Sequence, residues 1–157
     1  MPGKNDAEPG HASALSKEIV SLVFDRRYED ARSVIEQTRL RDGKASRLTA
    51  LPEELNAKLI DFDVGIDTIR WVMAGLYMLA VLLMDSEFWS DADPILEKVI
   101  ALSLEQNEAF FLSECRFRLA ICMKALGRAK EFKRVKAEIP PGTIIFLDDG
   151  AHQIEDL

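Results

Sequence analysis

Two cysteines, two histidines, a group of aspartates and a run of lysines and arginines are the residues whose types and spacing could do chemistry. Cys115 and Cys122 stand seven apart. A redox pair or zinc site favours closer sulfurs, as in C-x-x-C, so that both reach one bond or one ion. These two fall instead on a stripe with Leu112, Leu119 and Leu126, at alternating spacings of three and four. Free Cys on such a stripe behaves as a small hydrophobe, so core packing is expected. His11 and His152 have no ligand pattern nearby. Asp61, Asp63 and Asp67 in "DFDVGID" are superficially like a calcium loop, but the Gly is misplaced and Val72 stands where the closing Glu belongs. Helix termination and capping is the better account of them. No Gly-rich phosphate loop, G-x-S-x-G elbow or zinc-protease motif occurs. No enzyme, cofactor or metal is expected.

The remaining cluster is basic. From Arg116 to Lys136 the chain carries Arg116, Arg118, Lys124, Arg128, Lys130, Lys133, Arg134 and Lys136 against one acid, Glu131. Clustered Lys/Arg attract phosphate. The whole chain, however, has formal net charge −7, so its remainder would repel a polyanion. Aromatic residues for base stacking are sparse in the segment. Two accounts need no ligand. Cations favour the C-terminal ends of helices, and these could pair with Asp148, Asp149, Glu155 and Asp156. A third is an acidic protein partner. The partner-contacting set expected here is Arg116, Lys124, Arg128, Lys130, Lys133 and Arg134. Nucleic acid and membrane are not expected partners.

A chain of 157 residues is long enough for one domain with a real core. Its hydrophobic fraction of 48% and charged fraction of 30% are those of a globular protein. Two cysteines fit a reducing, cytoplasmic setting. Residues 1–12 lack the apolar run of a signal peptide and read as a disordered tail. "WVMAGLYMLAVLLM" is uncharged but shorter than the roughly 20 residues of a membrane span, and Arg70 and Asp85 close it. It reads as a central core helix.

Periodicity predicts an all-α domain over 13–141 and an extended segment over 142–157. Helices are expected near 13–25, 28–40, 51–62, 67–84, 91–104, 107–126 and 129–137. Pro94 must lie in the first turn of its helix, Gly127 ends the next, and "PPG" stops the last. "TIIFL", "DDG" and "AHQI" can form a hairpin on an Asp-Gly turn, with an extended tail as the alternative.

The helices carry an internal repeat. Tyr28, Ala31 and Ile35 match Trp89, Ala92 and Leu96. Leu76, Leu79, Ala80 and Leu83 precede the second set, and Leu119, Ala120 and Met123 precede "ALGRAKEF" in a third. The order of a large residue, a Leu-small pair, a large residue, a turn, then Ala and a large residue resembles the tetratricopeptide repeat. The small residues let paired helices approach closely. The resemblance implies about three stacked helix pairs and a partner-binding surface. It covers Leu76 to Ile100 and Arg116 to Phe132 best. Departures are Glu18 in place of Leu, Arg116 in place of a large apolar residue, Phe132 in place of Ala, and spacing unlike an even repeat of about 34 residues. The expected function is a non-catalytic module binding a protein or peptide. A toxin-neutralising immunity protein and a secretion-type chaperone are the alternatives, with a nucleic-acid-binding regulator behind them.

Overall fold

The computed structural model describes residues 15–42, 66–106, 112–147 and 149–157. Within them lie α1 (15–24), α2 (Tyr28–Asp42), α3 (Ile66–Asp85), α4 (Trp89–Glu105), α5 (Leu112–Ala125) and α6 (Ala129–Ala137). Strands β1 (Ile144–Leu147) and β2 (Gly150–Gln153) and a 3-10 turn (Ile154–Asp156) follow. The protein is all-α, with consecutive helices packed together and a short C-terminal antiparallel hairpin. The expected helix over 51–62 and the tail at 1–12 lie outside the described residues, as does the aspartate loop up to Asp63.

Three turns share one geometry. After α1, the Arg26 and Arg27 N–H groups donate to Val23 and Leu22. After α3, Glu87 and Phe88 donate to Met84 and Leu83, and after α5, Gly127 and Arg128 donate to Lys124 and Met123. This double bond pattern ties up carbonyls that a helix end leaves unpaired. It requires a left-handed residue, and Arg26 (φ 64°), Glu87 (φ 64°) and Gly127 (φ 73°) supply it. Glycine adopts that conformation without penalty, whereas Arg and Glu do not. The following helix starts alike each time: the N–H groups of Ala31, Ala92 and Phe132 donate to Arg27, Phe88 and Arg128.

That turn also corrects the start of α4. The helix begins at Trp89 rather than Asp91, because the Phe88 carbonyl accepts from both Asp91 and Ala92. Pro94 therefore lies inside the helix, beyond its first turn. Its ring is exposed, and it offers no N–H to Ser90.

The main core joins all six helices. Ile19, Ala31, Ile35, Leu76, Leu79, Leu83, Ala92, Leu96 and Cys122 are fully buried. The apolar helix α3 runs through it, with Leu79 to Met84 all buried. Among the described residues no helix is long and apolar enough to cross a membrane. Glu18 is exposed and its neighbour Ile19 is buried, so α1 meets the core one position away from the repeat alignment. Gly75 makes a close approach: a Cβ there would lie 2.6 Å from the Phe24 ring. That ring stands edge-on to Trp71 with centroids 5.8 Å apart. Two ion pairs lock α2 onto the end of α3: Arg32 with Asp85 at 2.7 Å, and Arg39 with Glu87 in the turn. The Asp85 hydrogen bond holds the Arg32 guanidinium above its ordinary pKa.

A smaller cluster holds the C-terminus. Phe117 of α5 packs with Ile139, Ile145 and Ile154. The hairpin reading of the tail is the one observed, with Ile145 opposite His152 and Leu147 opposite Gly150. Gly150 (φ 120°) closes the turn in a conformation that favours glycine.

Candidate functional site

The basic segment is split by the fold into buried, paired and free cations. Position along α5 decides the first group. Arg118 lies one helical turn before Cys122 and is only 9% exposed. Its Nε donates to the Tyr77 hydroxyl at 2.8 Å, and its guanidinium carbon sits 5.4 Å from that ring's centre. Planar Arg stacks on an aromatic face in a way Lys does not match. Burial raises the Tyr77 pKa, and the Arg118 charge opposes that shift. A neutral phenol accepting from a permanent cation is a structural link between α3 and α5.

The paired group uses acids near the helix ends. Arg128, the residue before α6, donates to Asp93 of α4 at 3.0 Å. The Asp93 side chain is 10% exposed against 42% for Glu138, so its carboxylate is the better shielded of the two acids that pair with the segment. Arg134 reaches Glu138 at 3.3 Å, and Arg116 approaches the same carboxylate at 3.7 Å, too far for a hydrogen bond. Lys136 donates to the Leu157 carbonyl at 3.5 Å and lies 5.9 Å from the Phe132 ring centre.

Of the tail acids expected to pair with the basic segment, Asp148 lies outside the described residues and Asp149 feels the Arg118 charge. The hydrogen bonds of Asp149, Glu155 and Asp156 close the hairpin and its cap. Asp149 is bonded to His152 at 2.6 Å, which holds its carboxyl below the usual range. Glu155 accepts from the Gly142 N–H at 3.2 Å, and Asp156 accepts from the Gln153 N–H at 3.1 Å. Partners inside the tail itself, two backbone N–H groups and the His152 ring, win over lysines that would have to be immobilised to reach these acids. The helix-end account fares better, since Lys124 lies in the last turn of α5, and Arg134 and Lys136 lie in that of α6.

Lys124, Lys130 and Lys133 are exposed and have no partner among the described residues. Lys130 and Lys133 occupy successive turns of α6, three residues apart and so on one face. Of the six residues expected to touch a partner, Arg116, Arg128 and Arg134 thus have intramolecular acids, and three lysines are free. Asp93 and Tyr77 had no local signal that would mark them as partners, because the Arg128–Asp93 and Arg118–Tyr77 contacts span 35 and 41 residues, whereas Glu138 stands four residues after Arg134 and was legible as its pair.

The cysteines are buried and free, and burial pushes both thiols up to about 12. At neutral pH they are protonated and poor nucleophiles. His152 lies against Phe117, with ring centroids 5.8 Å apart, and holds Asp149. This pair fastens the hairpin turn to the inward face of β2. Among the described residues no group of three or more His, Cys, Asp or Glu is placed to hold a metal ion. What the arrangement offers is cationic side chains on a helix face. Comparison of the chain with known protein families, with characterised proteins and with solved structures finds no match.

Proposed function

We propose that this protein is a non-catalytic interaction module, a tetratricopeptide-like stack whose helical surface binds a partner protein or peptide in the cytoplasm. The single observation that supports this reading is the repeated turn. Three hairpins start and stop alike, and the small residues of the repeat, Ala31, Ala92 and Ala120, are fully buried. Stacked hairpins of this kind present an extended surface to a ligand. The free lysines at 124, 130 and 133 give part of that surface a charge suited to an acidic patch, while the net charge of −7 steers a basic partner toward other faces. An immunity protein masking a basic toxin, or a chaperone holding a secreted client, uses such a surface.

The test is affinity capture from the native cell with chemical crosslinking, comparing the intact chain with a variant carrying Lys124→Glu, Lys130→Glu and Lys133→Glu. The expected result is a stoichiometric protein crosslinked to the helical domain, weakened in the variant. The variant's thermal stability should fall by no more than about 1 kcal/mol, the loss of the Lys124 charge at its helix end, because these side chains touch no described partner. Recovery of nucleic acid that the triple change abolishes would replace this reading with the nucleic-acid one.

A further inference from the structure

The outer edge of β1 is an open hydrogen-bonding template with an apolar face. The Ile154 N–H donates to the Thr143 carbonyl at 3.3 Å, while the Thr143 N–H turns back to Pro140, so a single bond marks these two as a hydrogen-bonded position in the register of the antiparallel ladder. Such positions alternate along a ladder. With Ile145 opposite His152 and Leu147 opposite Gly150, those are the exchanging pairs. Ile144 and Phe146 then direct their N–H and C=O groups away from β2. The sheet has two strands among the described residues, so this edge has no ladder partner there. The same two residues leave their side chains outside, Ile144 at 51% and Phe146 at 76% exposure. Natural proteins blunt such an edge with Lys, Pro or a bulge, and Ile144–Leu147 contains none of these. The opposite edge is closed at Gln153, whose N–H is taken by Asp156.

We infer that β1 binds an extended, basic segment of another protein as an added strand. Main-chain bonds to Ile144 and Phe146 supply the affinity, and alternate apolar residues of the segment pack beside their side chains. Charge selects the partner. Residues 142–157 contain no Lys or Arg, and Asp149, Glu155 and Asp156 of this segment are exposed, with Glu155 held at Gly142 just before β1. A segment flanked by Lys or Arg meets complementary charge there. A second copy of this chain brings the same net −7 and the same acidic hairpin, which opposes self-pairing. Different variants probe this edge and the lysines of the helical surface, so the two readings stand or fall independently.

The test is selection of a random-peptide display library on the intact chain, followed by binding measurements with synthetic versions of the enriched peptides. The expected peptides alternate apolar residues, carry net positive charge and bind more weakly as salt is raised. Phe146→Pro removes an N–H that points away from β2, so the hairpin ladder is kept while affinity should drop at least about ten-fold. Phe146→Lys keeps the amide and should also weaken binding, by placing like charge beside the peptide. Ala151→Pro, on the outer edge of β2, should bind as the unaltered chain does. Near-native circular dichroism and melting in the variants exclude simple unfolding. Failure to enrich any peptide overturns the inference, as do enriched peptides that ignore both Phe146→Pro and Ile144→Pro. If those peptides respond instead to Lys130→Glu and Lys133→Glu, the helical surface keeps its role and β1 loses its own. Concentration-dependent dimerisation in sedimentation, abolished by Phe146→Pro, would assign the edge to a second copy and overturn the basic-segment occupant.

Discussion

The α3–α4 and α5–α6 hairpins leave the same turn and are covered differently. Five residues past the left-handed residue, α4 places the fully buried Ala92 and α6 places the half-buried Phe132. Leu76 is buried on α3, and its counterpart on α5 is Arg116, which leans toward Glu138. Over its 17 residues α4 buries seven, whereas α6 has nine residues and buries Val135. The helix α4 lies between α3 and α5, so small residues are needed on it for close approach. The helix α6 packs on α5 alone among the helices it strongly contacts, so a large ring can stand where Ala stood. The lesson is that one turn geometry serves both the inside and the end of a stack. The end needs a separate cover, and here the β-hairpin and the 3-10 turn after it provide one by packing Ile145 and Ile154 onto Phe117. Terminal units of stacked proteins carry such altered outer faces for the same reason.

Removing the ring that receives the cover should break this division most severely. Phe117→Ala is expected to cost about 3–5 kcal/mol, the usual range for a buried aromatic. In hydrogen exchange, protection should be lost first at Ile145 and Leu147, while α3 and α4 keep theirs. Urea unfolding measures the first effect. Uniform loss of protection across both hairpins would show that the hairpin is no local cover.

Overfilling the interior contact probes the other half of the comparison. Ala92→Leu should destabilise the protein by about 1–3 kcal/mol, and Ala120→Leu similarly, because neither site has spare volume. An unchanged melting temperature in either variant would mean that the small residue is not needed for close approach at that site.

At neutral pH the smallest effect is that of the thiols, whose contribution changes only in alkali. Cys115 and Cys122 titrate at about 12 in the fold, against an ordinary 9.0. Between those values the unfolded chain releases protons that the native state keeps. Stability is therefore complete below about pH 9 and falls as pH rises toward 12, by about 1.4 kcal/mol per pH unit for each thiol. Replacing both with Val should flatten that alkaline decline and leave stability near pH 7 within about 1.5 kcal/mol. Rapid labelling of both thiols in the native protein at neutral pH would contradict their burial.

Much of the helical scaffold was legible from short-range signals. Gly127 marked a turn because few residues tolerate its conformation, and α6 begins at Ala129 and ends at Ala137 as expected. The turns at Arg26 and Glu87 carried no glycine, so their equivalence to Gly127 was visible only through the residues that follow. The stripe of Cys115, Leu119 and Cys122 was legible on α5 and is buried. The burial of Phe117 was not, because the partners that bury it, Ile139, Ile145 and Ile154, follow at least 22 residues later. The candidate site was the least legible part. Eight cations in one segment look alike in sequence, and only the packing makes Arg118 a core residue and Lys130 a free one.

By itself, then, the sequence determined what depends on a few neighbouring residues: the all-α class, the turn at Gly127 and the limits of α6; it left the tail open between a hairpin and an extended segment, and the hairpin that forms pairs Gly150 with Leu147 as the first residue of β2. Backbone sterics, helix periodicity and loop closure act over one or two turns, and local residue types are sufficient to set them. Tertiary structure alone decided the close approach of Gly75 to Phe24, the choice of Tyr77 and Asp93 for two of the arginines, and the outward edge of β1. Those outcomes depend on which distant surfaces meet. The burial of a charge, or the exposure of a strand edge, is settled by what packs against it and not by its neighbours in the chain.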